Sequence, residues 1–186
     1  MRGSDLFADL PIPSDYGVNP RRPRFEEAGE LVDVEPNVVG TMQRLAPETA
    51  AAWHEMKQAA SGAGVHLLLV SGFRSVRRQA EIIRRKLDAG QPIEEILAVN
   101  AAPGFSEHHT GRAVDVATPG TRPLTAEFET SDAFRWLTKS AAAFGFRMPY
   151  GRANRFGFDY EPWHWSRVEP QQRKRKDTRA SASRKN

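Results

Sequence analysis

Ser106-Glu107-His108-His109-Thr110-Gly111-Arg112-Ala113-Val114-Asp115 is the stretch on which a reading of this chain turns. A polar run closes on Thr-Gly, a turn signal, and the small and β-branched residues from Ala113 to Ala117 read as a compact strand. A histidine-bearing turn is thus joined to a strand that carries an aspartate. His108 and His109 are adjacent, and in an extended segment adjacent side chains point to opposite sides. Only one of His108 and His109 is therefore expected to share a site with Asp115, and the other would line the cleft or face solvent.

Outward from this stretch, helical and strand patterns succeed one another. Val65 to Phe73 is a short, glycine-flanked apolar run that reads as a buried strand. Ser75 is placed to cap a helix through Ala89, with Val76, Ala80, Ile83 and Leu87 facing inward and Gly90 as its stop. On that reading, Arg84-Arg85-Lys86 lies on the outer, solvated side. Pro92 to Val99 predicts a shorter helix. Upstream, Trp53, Met56 and Ala60 fall at helical spacing from Pro47 onward. Downstream, Ser131 caps a helix whose one side carries Phe134, Leu137, Ala141 and Phe144, and Phe156 to Trp165 reads as a final strand running into a turn. Helices lying on strands joined by irregular loops give an α+β class. Residues 1–40 are rich in proline and charge and read as an irregular arm, where Glu30 to Val34 alternates well enough to add an edge strand. Residues 41–170 form the expected domain.

The chain has 186 residues, 39% of them hydrophobic and 27% charged, the size and balance of one globular domain. It has no cysteine, which excludes a disulfide framework and leaves His, Asp and Glu as the only metal ligands. No apolar run is long enough to span a bilayer, so no transmembrane segment is expected. The first twenty residues lack the basic-then-apolar pattern of a signal peptide. The net charge of +4 suggests an anionic partner until the charges are located. Residues 171–186 hold seven Lys or Arg against one Asp, so the rest of the chain is slightly acidic. That segment reads as a disordered, solvated tail, with contact to an anionic polymer or surface as its sharper alternative and no nucleic-acid partner expected.

A second informative segment is Glu161-Pro162-Trp163-His164-Trp165. Pro162 disfavours the helical region for Glu161, so these residues are an extended or turning segment and not one helix face. Two histidines and an aspartate form the kind of three-ligand set that catalytic zinc uses, leaving a position for water, and a nearby carboxylate can take a proton from that water. Composition alone leaves blander readings open: Asp115 as a turn residue, Arg74 as a surface ion-pair partner, Trp163 and Trp165 as core. His54, on a charged helix face, and His66, at a strand start, are not expected to be ligands.

Ser106 to Asp115 resembles the Ser-x-His-x-x-Gly-x-Ala-x-Asp signature of VanY-type D-alanyl-D-alanine carboxypeptidases, a branch of the lysostaphin/D-Ala-D-Ala peptidase/hedgehog superfamily. Glu161-Pro162-Trp163-His164 is similar to that family's second signature, and Ser71-Gly72-Phe73-Arg74-Ser75 with Gln79 to its upstream Arg-Ser-x-x-x-Gln element. Three motifs in the right order span roughly Val65 to Trp165. The resemblance implies a small antiparallel sheet with flanking helices and one zinc ion held by His108, Asp115 and His164. It also implies Glu161 as general base and acid, Arg74 as the cation that stabilises an oxyanion, and Gln79 and Ser106 as shapers of the substrate site. The implied reaction is removal of the terminal D-alanine of a peptidoglycan stem peptide; a D-Ala-D-Ala dipeptidase and an L-alanyl-D-glutamate endopeptidase are alternatives within the same chemistry, and a non-catalytic zinc-fold module is more remote. Arg74, Arg112 and Arg152 are candidate sources of a field for a substrate carboxylate. His109 stands where relatives commonly carry Gln, and Arg112 where they carry an apolar residue. The relatives' substrate suggests the periplasm or cell wall, which the absent signal pattern does not match.

Overall fold

The computed structural model describes residues 7, 9–18 and 21–168; the basic segment 171–186 lies outside them. A mixed helix-and-strand fold is found, with two antiparallel sheets. The first is a hairpin of β1 (Val32–Pro36) and β2 (Met42–Leu45). The second has four strands, β3 (Leu68–Ser71), β4 (Ala113–Ala117), β5 (Phe146–Arg147) and β6 (His164–Arg167), in the order β3-β4-β6-β5. The helices are α1 (Pro47–Gly62), α2 (Val76–Asp88), α3 (Ile93–Val99) and α4 (Asp132–Ser140).

Local chemistry explains most of these bounds. Pro47 opens α1, where a missing N–H is harmless. Ser75 and Ser131 cap α2 and α4 by accepting from the N–H groups of Arg78 and Phe134, three residues on. All five residues of β4 are buried, as befits a central strand of small and branched side chains. One core joins Trp53 and Met56 of α1 to Leu69, Val114, Val116 and Trp165 of the sheet and to Leu137 of α4. A second gathers Ile83 of α2, Ile96 and Leu97 of α3 and Phe105 around Leu10 and Tyr16. Two residues of the segment expected as an irregular arm therefore serve as core.

Three expectations change. The alternating stretch after Glu30 forms β1, but it pairs with β2 in a separate hairpin and not on the edge of the main sheet. The run from Val65 contributes only four residues to β3. The expected strand from Phe156 begins only at His164, because Gly157 sits in the left-handed region (φ 73°) and a turn precedes the strand. Its aromatic alternation has another cause: Phe156 and Phe158 pack edge-on against Tyr150, with ring centroids 5.6 and 5.0 Å away.

The end of β2 wedges between the two motif turns. Phe73 N–H donates to Arg44 O at 2.7 Å, and Ala46 N–H donates to Gly111 O at 3.0 Å. Both turns need glycine there. A Cβ on Gly72 would stand 2.6 Å from Arg44 O, and one on Gly111, itself at φ 65°, 2.8 Å from Ala46 N. Gly72→Ala is therefore expected to destabilise the fold by about 1–3 kcal/mol through overpacking, read from the shift of the urea midpoint at unchanged slope.

Candidate active site

The sheet ladder itself brings the first two candidate ligands together. Asp115 on β4 lies opposite His164 on β6, and cross-strand partners project to the same face. His164 Nδ1 is 3.0 Å from Asp115 Oδ1. His108 arrives from the 3-10 turn Glu107–Thr110, with Nε2 3.2 Å from Asp115 Oδ2. All three residues are buried, and one ligand atom of each lies within 4.8 Å of the others. His54 and His66 are exposed elsewhere.

The turn is fastened to the segment after β3 by three hydrogen bonds. His108 Nδ1 meets Gly72 O at 2.7 Å, Arg74 N–H donates to His108 O at 3.1 Å, and His109 Nδ1 meets Arg74 O at 2.6 Å. A carbonyl only accepts, so both imidazoles carry their hydrogen on Nδ1. His109 is fully buried and its Nε2 accepts from Gly104 N–H at 3.1 Å. It neither lines the cleft nor faces solvent, and its place is behind Arg74 as a clamp. The guanidinium of Arg74 is fixed in turn: Nη1 donates to Gln79 Oε1 at 3.0 Å, Nη2 to Ser71 Oγ at 3.1 Å, and Asp115 Oδ2 is 3.6 Å away. Gln79 has no exposure and passes its other end, Nε2, to Ala101 O at 2.7 Å. It touches the cleft through Arg74.

The cleft has a volume of about 290 Å³. Arg74, Ser106, His108, Asp115, Glu161 and His164 line it together. Glu161 is tied to the ligand strand by its backbone, for its N–H donates to Tyr150 O at 3.0 Å and its O accepts from His164 N–H at 3.2 Å. Its carboxyl has no hydrogen-bond partner among the described residues. Burial, with the nearby Asp115 charge, pushes that carboxyl up to about 7. Trp163 belongs to both settings, packing on the main core and lining the cleft, whereas Trp165 is core. Arg112 borders a separate recess with Glu26, Glu30 and Glu48, and Arg152 pairs with Glu129 at 2.6 Å. Neither lines the cleft.

Three residues here escape the sequence reading. Glu107, beside the candidate ligand His108, places Oε2 3.0 Å from His164 Nε2. Its signal was a carboxylate inside the histidine motif, since ligating histidines commonly give their second nitrogen to one. Tyr150 stacks on the His164 ring, centroids 4.6 Å apart, and nothing local marks it. Lys86, expected on a solvated face, is half-buried and lines the cleft.

The electrostatics suit a bound cation. Burial opposes charge on Asp115, yet His108 and His164 hold its carboxyl far below the ordinary range. Burial likewise opposes a charged His164, but Asp115 and Glu107 push it up to about 10, so the two carboxylates favour a positive charge here, carried by a proton or by a metal ion that displaces it. Burial lowers His108, keeping it neutral. With Nδ1 hydrogenated, His108 turns a lone pair toward an ionised carboxylate, and two facing acceptors need a positive ion to satisfy them. Two imidazoles and one carboxylate, buried and convergent, fit one zinc ion with a position left open.

Comparison with known proteins agrees with this geometry. The model of the VanY D-alanyl-D-alanine carboxypeptidase family matches residues 42–169. A D-alanyl-D-alanine carboxypeptidase of Enterococcus faecalis (strain ATCC 700802 / V583) is 30% identical over 170 residues, which are 85% of this chain and 55% of that protein. The chain thus spans about half the length of that relative. Among solved structures, the LdcB LD-carboxypeptidase is 31% identical with a TM-score of 0.69, covering 78% of this chain and 71% of its own. The D,D-pentapeptidase VanY of a VanB-type resistance cassette, solved as a mutant in complex with Zn(II), is 26% identical with a TM-score of 0.59, covering 85% and 83%.

Glu107 yields a prediction independent of turnover. Glu107→Ala is expected to weaken zinc binding by about 10- to 100-fold in competition with a chromogenic chelator, with the fold retained by circular dichroism. Unchanged affinity would show that the carboxylate does not support His164.

Proposed function

Since this chain belongs to the VanY family of D-alanyl-D-alanine carboxypeptidases, we propose that it is a zinc-dependent D,D-carboxypeptidase that removes the terminal D-alanine of a peptidoglycan stem peptide. The observation that carries the reading is the meeting of His108, Asp115 and His164 with Glu161 and Arg74 in one cleft.

Zinc, when bound by His108, Asp115 and His164, supplies Lewis acidity that polarises the scissile carbonyl and makes water acidic near neutral pH. The chain's own groups do the rest. Glu161 accepts the proton of the attacking water and delivers it to the leaving amine, a double role suited to a carboxyl whose pKa lies near 7. Arg74 faces the oxygen on which negative charge develops. Its five N–H donors exceed the partners that orient it, so donors remain for substrate. Gln79 and the His109 clamp keep that guanidinium from drifting, and Ser106 offers a hydroxyl at the cleft wall.

Bond choice is tested by product analysis with zinc-loaded protein. D-alanine released from a D-Ala-D-Ala-terminated pentapeptide supports the proposal. D-alanine released only from the tetrapeptide would replace it with the L,D activity that the LdcB likeness favours. A released dipeptide would mark a dipeptidase, and internal cleavage an endopeptidase.

Glu161→Gln is expected to keep zinc and lower kcat by about 10²–10⁴, whereas His164→Ala loses both metal and turnover. A base must be ionised to accept a proton, so kcat/KM of the unaltered protein should rise as pH climbs through about 7. A profile flat from pH 5 to 8 would remove Glu161 from the role of base.

A further inference from the structure

Arg74 and Lys86 are the two arginine or lysine side chains that line the catalytic cleft among the described residues. They differ in their commitments. Arg74 is held by Ser71, Gln79 and Asp115. Lys86 has no hydrogen-bond or ion-pair partner for its ammonium among the described residues, although a near neighbour on the helix has its own: Arg84 forks onto Asp9 at 2.6–2.9 Å.

The helix explains why Lys86 reaches the cleft. Gln79, Ile83 and Lys86 are spaced i, i+4, i+7 and so share one face of α2. Gln79 and Ile83 on that face are buried, and Gln79 grips Arg74. The same face, two turns further on, carries the stem of Lys86 to the cleft wall that Val99, Asn100 and Ala101 also line. Burial, with the like charges of Arg85 and Arg74, presses its ammonium toward the neutral form, and Glu161 across the cleft acts the other way. A half-buried cation with no fixed counter-ion, on the wall of a peptide-sized cleft, has one inexpensive solution: an anion that arrives with the ligand.

We propose that Lys86 is a specificity-determining residue that binds a free carboxylate of the peptide substrate. The inference rests on the peptidase reading for the kind of ligand, and on the position of Lys86 for the subsite. Two sources supply the same chemistry, the C-terminal carboxylate of the chain being cleaved and a carboxylate carried on an internal residue. In either case the carboxylate locates the peptide relative to Glu161 and Arg74, so that its charge governs which ends enter. Lys86 is not an acid, a base or an oxyanion donor.

The test measures binding without turnover. Zinc-loaded Glu161→Gln protein, with Lys86 intact or changed to Met, is titrated calorimetrically with three peptides: a D-Ala-D-Ala-terminated pentapeptide acid, its C-terminal amide, and the acid with its internal carboxylate amidated. Met keeps the stem packing and removes only the charge. With Lys86 present, the acid should bind at least about tenfold tighter than one of the two amides, the scale of a charge-assisted hydrogen bond. Lys86→Met should erase that preference and leave the weaker peptide unchanged, and Lys86→Arg should restore part of it. The amide that loses affinity identifies which carboxylate is held. Equal losses for all three peptides, no loss for any, or no binding of the acid to the Lys86 protein would each overturn the proposal. Hydrolysis by the unaltered protein is scored separately, so failure of the peptidase reading and failure of this subsite give different results.

Discussion

The Asp115 carboxylate is the constraint on which the rest of the molecule depends. It is buried in the central strand, and its two oxygens face two imidazoles and a guanidinium at 3.0–3.6 Å. A lone carboxylate in such a place would be untenable, because removing an ion from water without partners costs several kcal/mol. Its partners come from three separate regions of the chain: the segment after β3, the turn before β4, and β6. Each is held by backbone as well as side chain, so the site is a consequence of the sheet register and not an addition to it.

Around that hub, rigid and responsive parts are separated. His109 and Gln79 have both polar ends satisfied by protein and act as spacers behind the cleft. Glu161 and Lys86 are the opposite, charged groups at the cleft without protein partners for their heads among the described residues. Buried polar groups that are fully satisfied rigidify a structure, and those left open are where chemistry enters.

The parts of this arrangement legible in sequence were those whose signal is local. Ser75 and Ser131 announce helix starts because a cap acts within three residues, and Ala113 to Ala117 announces a strand by its own composition. The convergence of His108, Asp115 and His164 was legible through motif resemblance; His-x6-Asp and Glu-x-x-His spacing alone would not have selected them. What remained hidden depends on distant partners. The hairpin of β1 and β2 is short and half-exposed, so nothing in its residues names the strand it pairs with. Tyr150 owes its place to a ring fourteen positions away. Lys86 shares a face with Gln79 and Ile83, but it ends the basic run Arg84-Arg85-Lys86, which reads as solvated, and only the position of the cleft assigns it inward. His109 looks like surface until Arg74 O and Gly104 N–H are brought to its two nitrogens.

The strand order β3-β4-β6-β5 has one more implication. The latest of the described strands in the chain is not added at an edge; it slots between two that precede it, and it brings His164, the last of the candidate ligand residues. During synthesis, β4 must wait with one flank bare and its aspartate only partly compensated until residue 164 has emerged. Until then only two of the three candidate ligand residues, His108 and Asp115, are in the chain. Assembly of this cluster thus waits on one of the later described strands, and until β6 arrives β4 keeps an open edge of the kind that invites pairing with another chain.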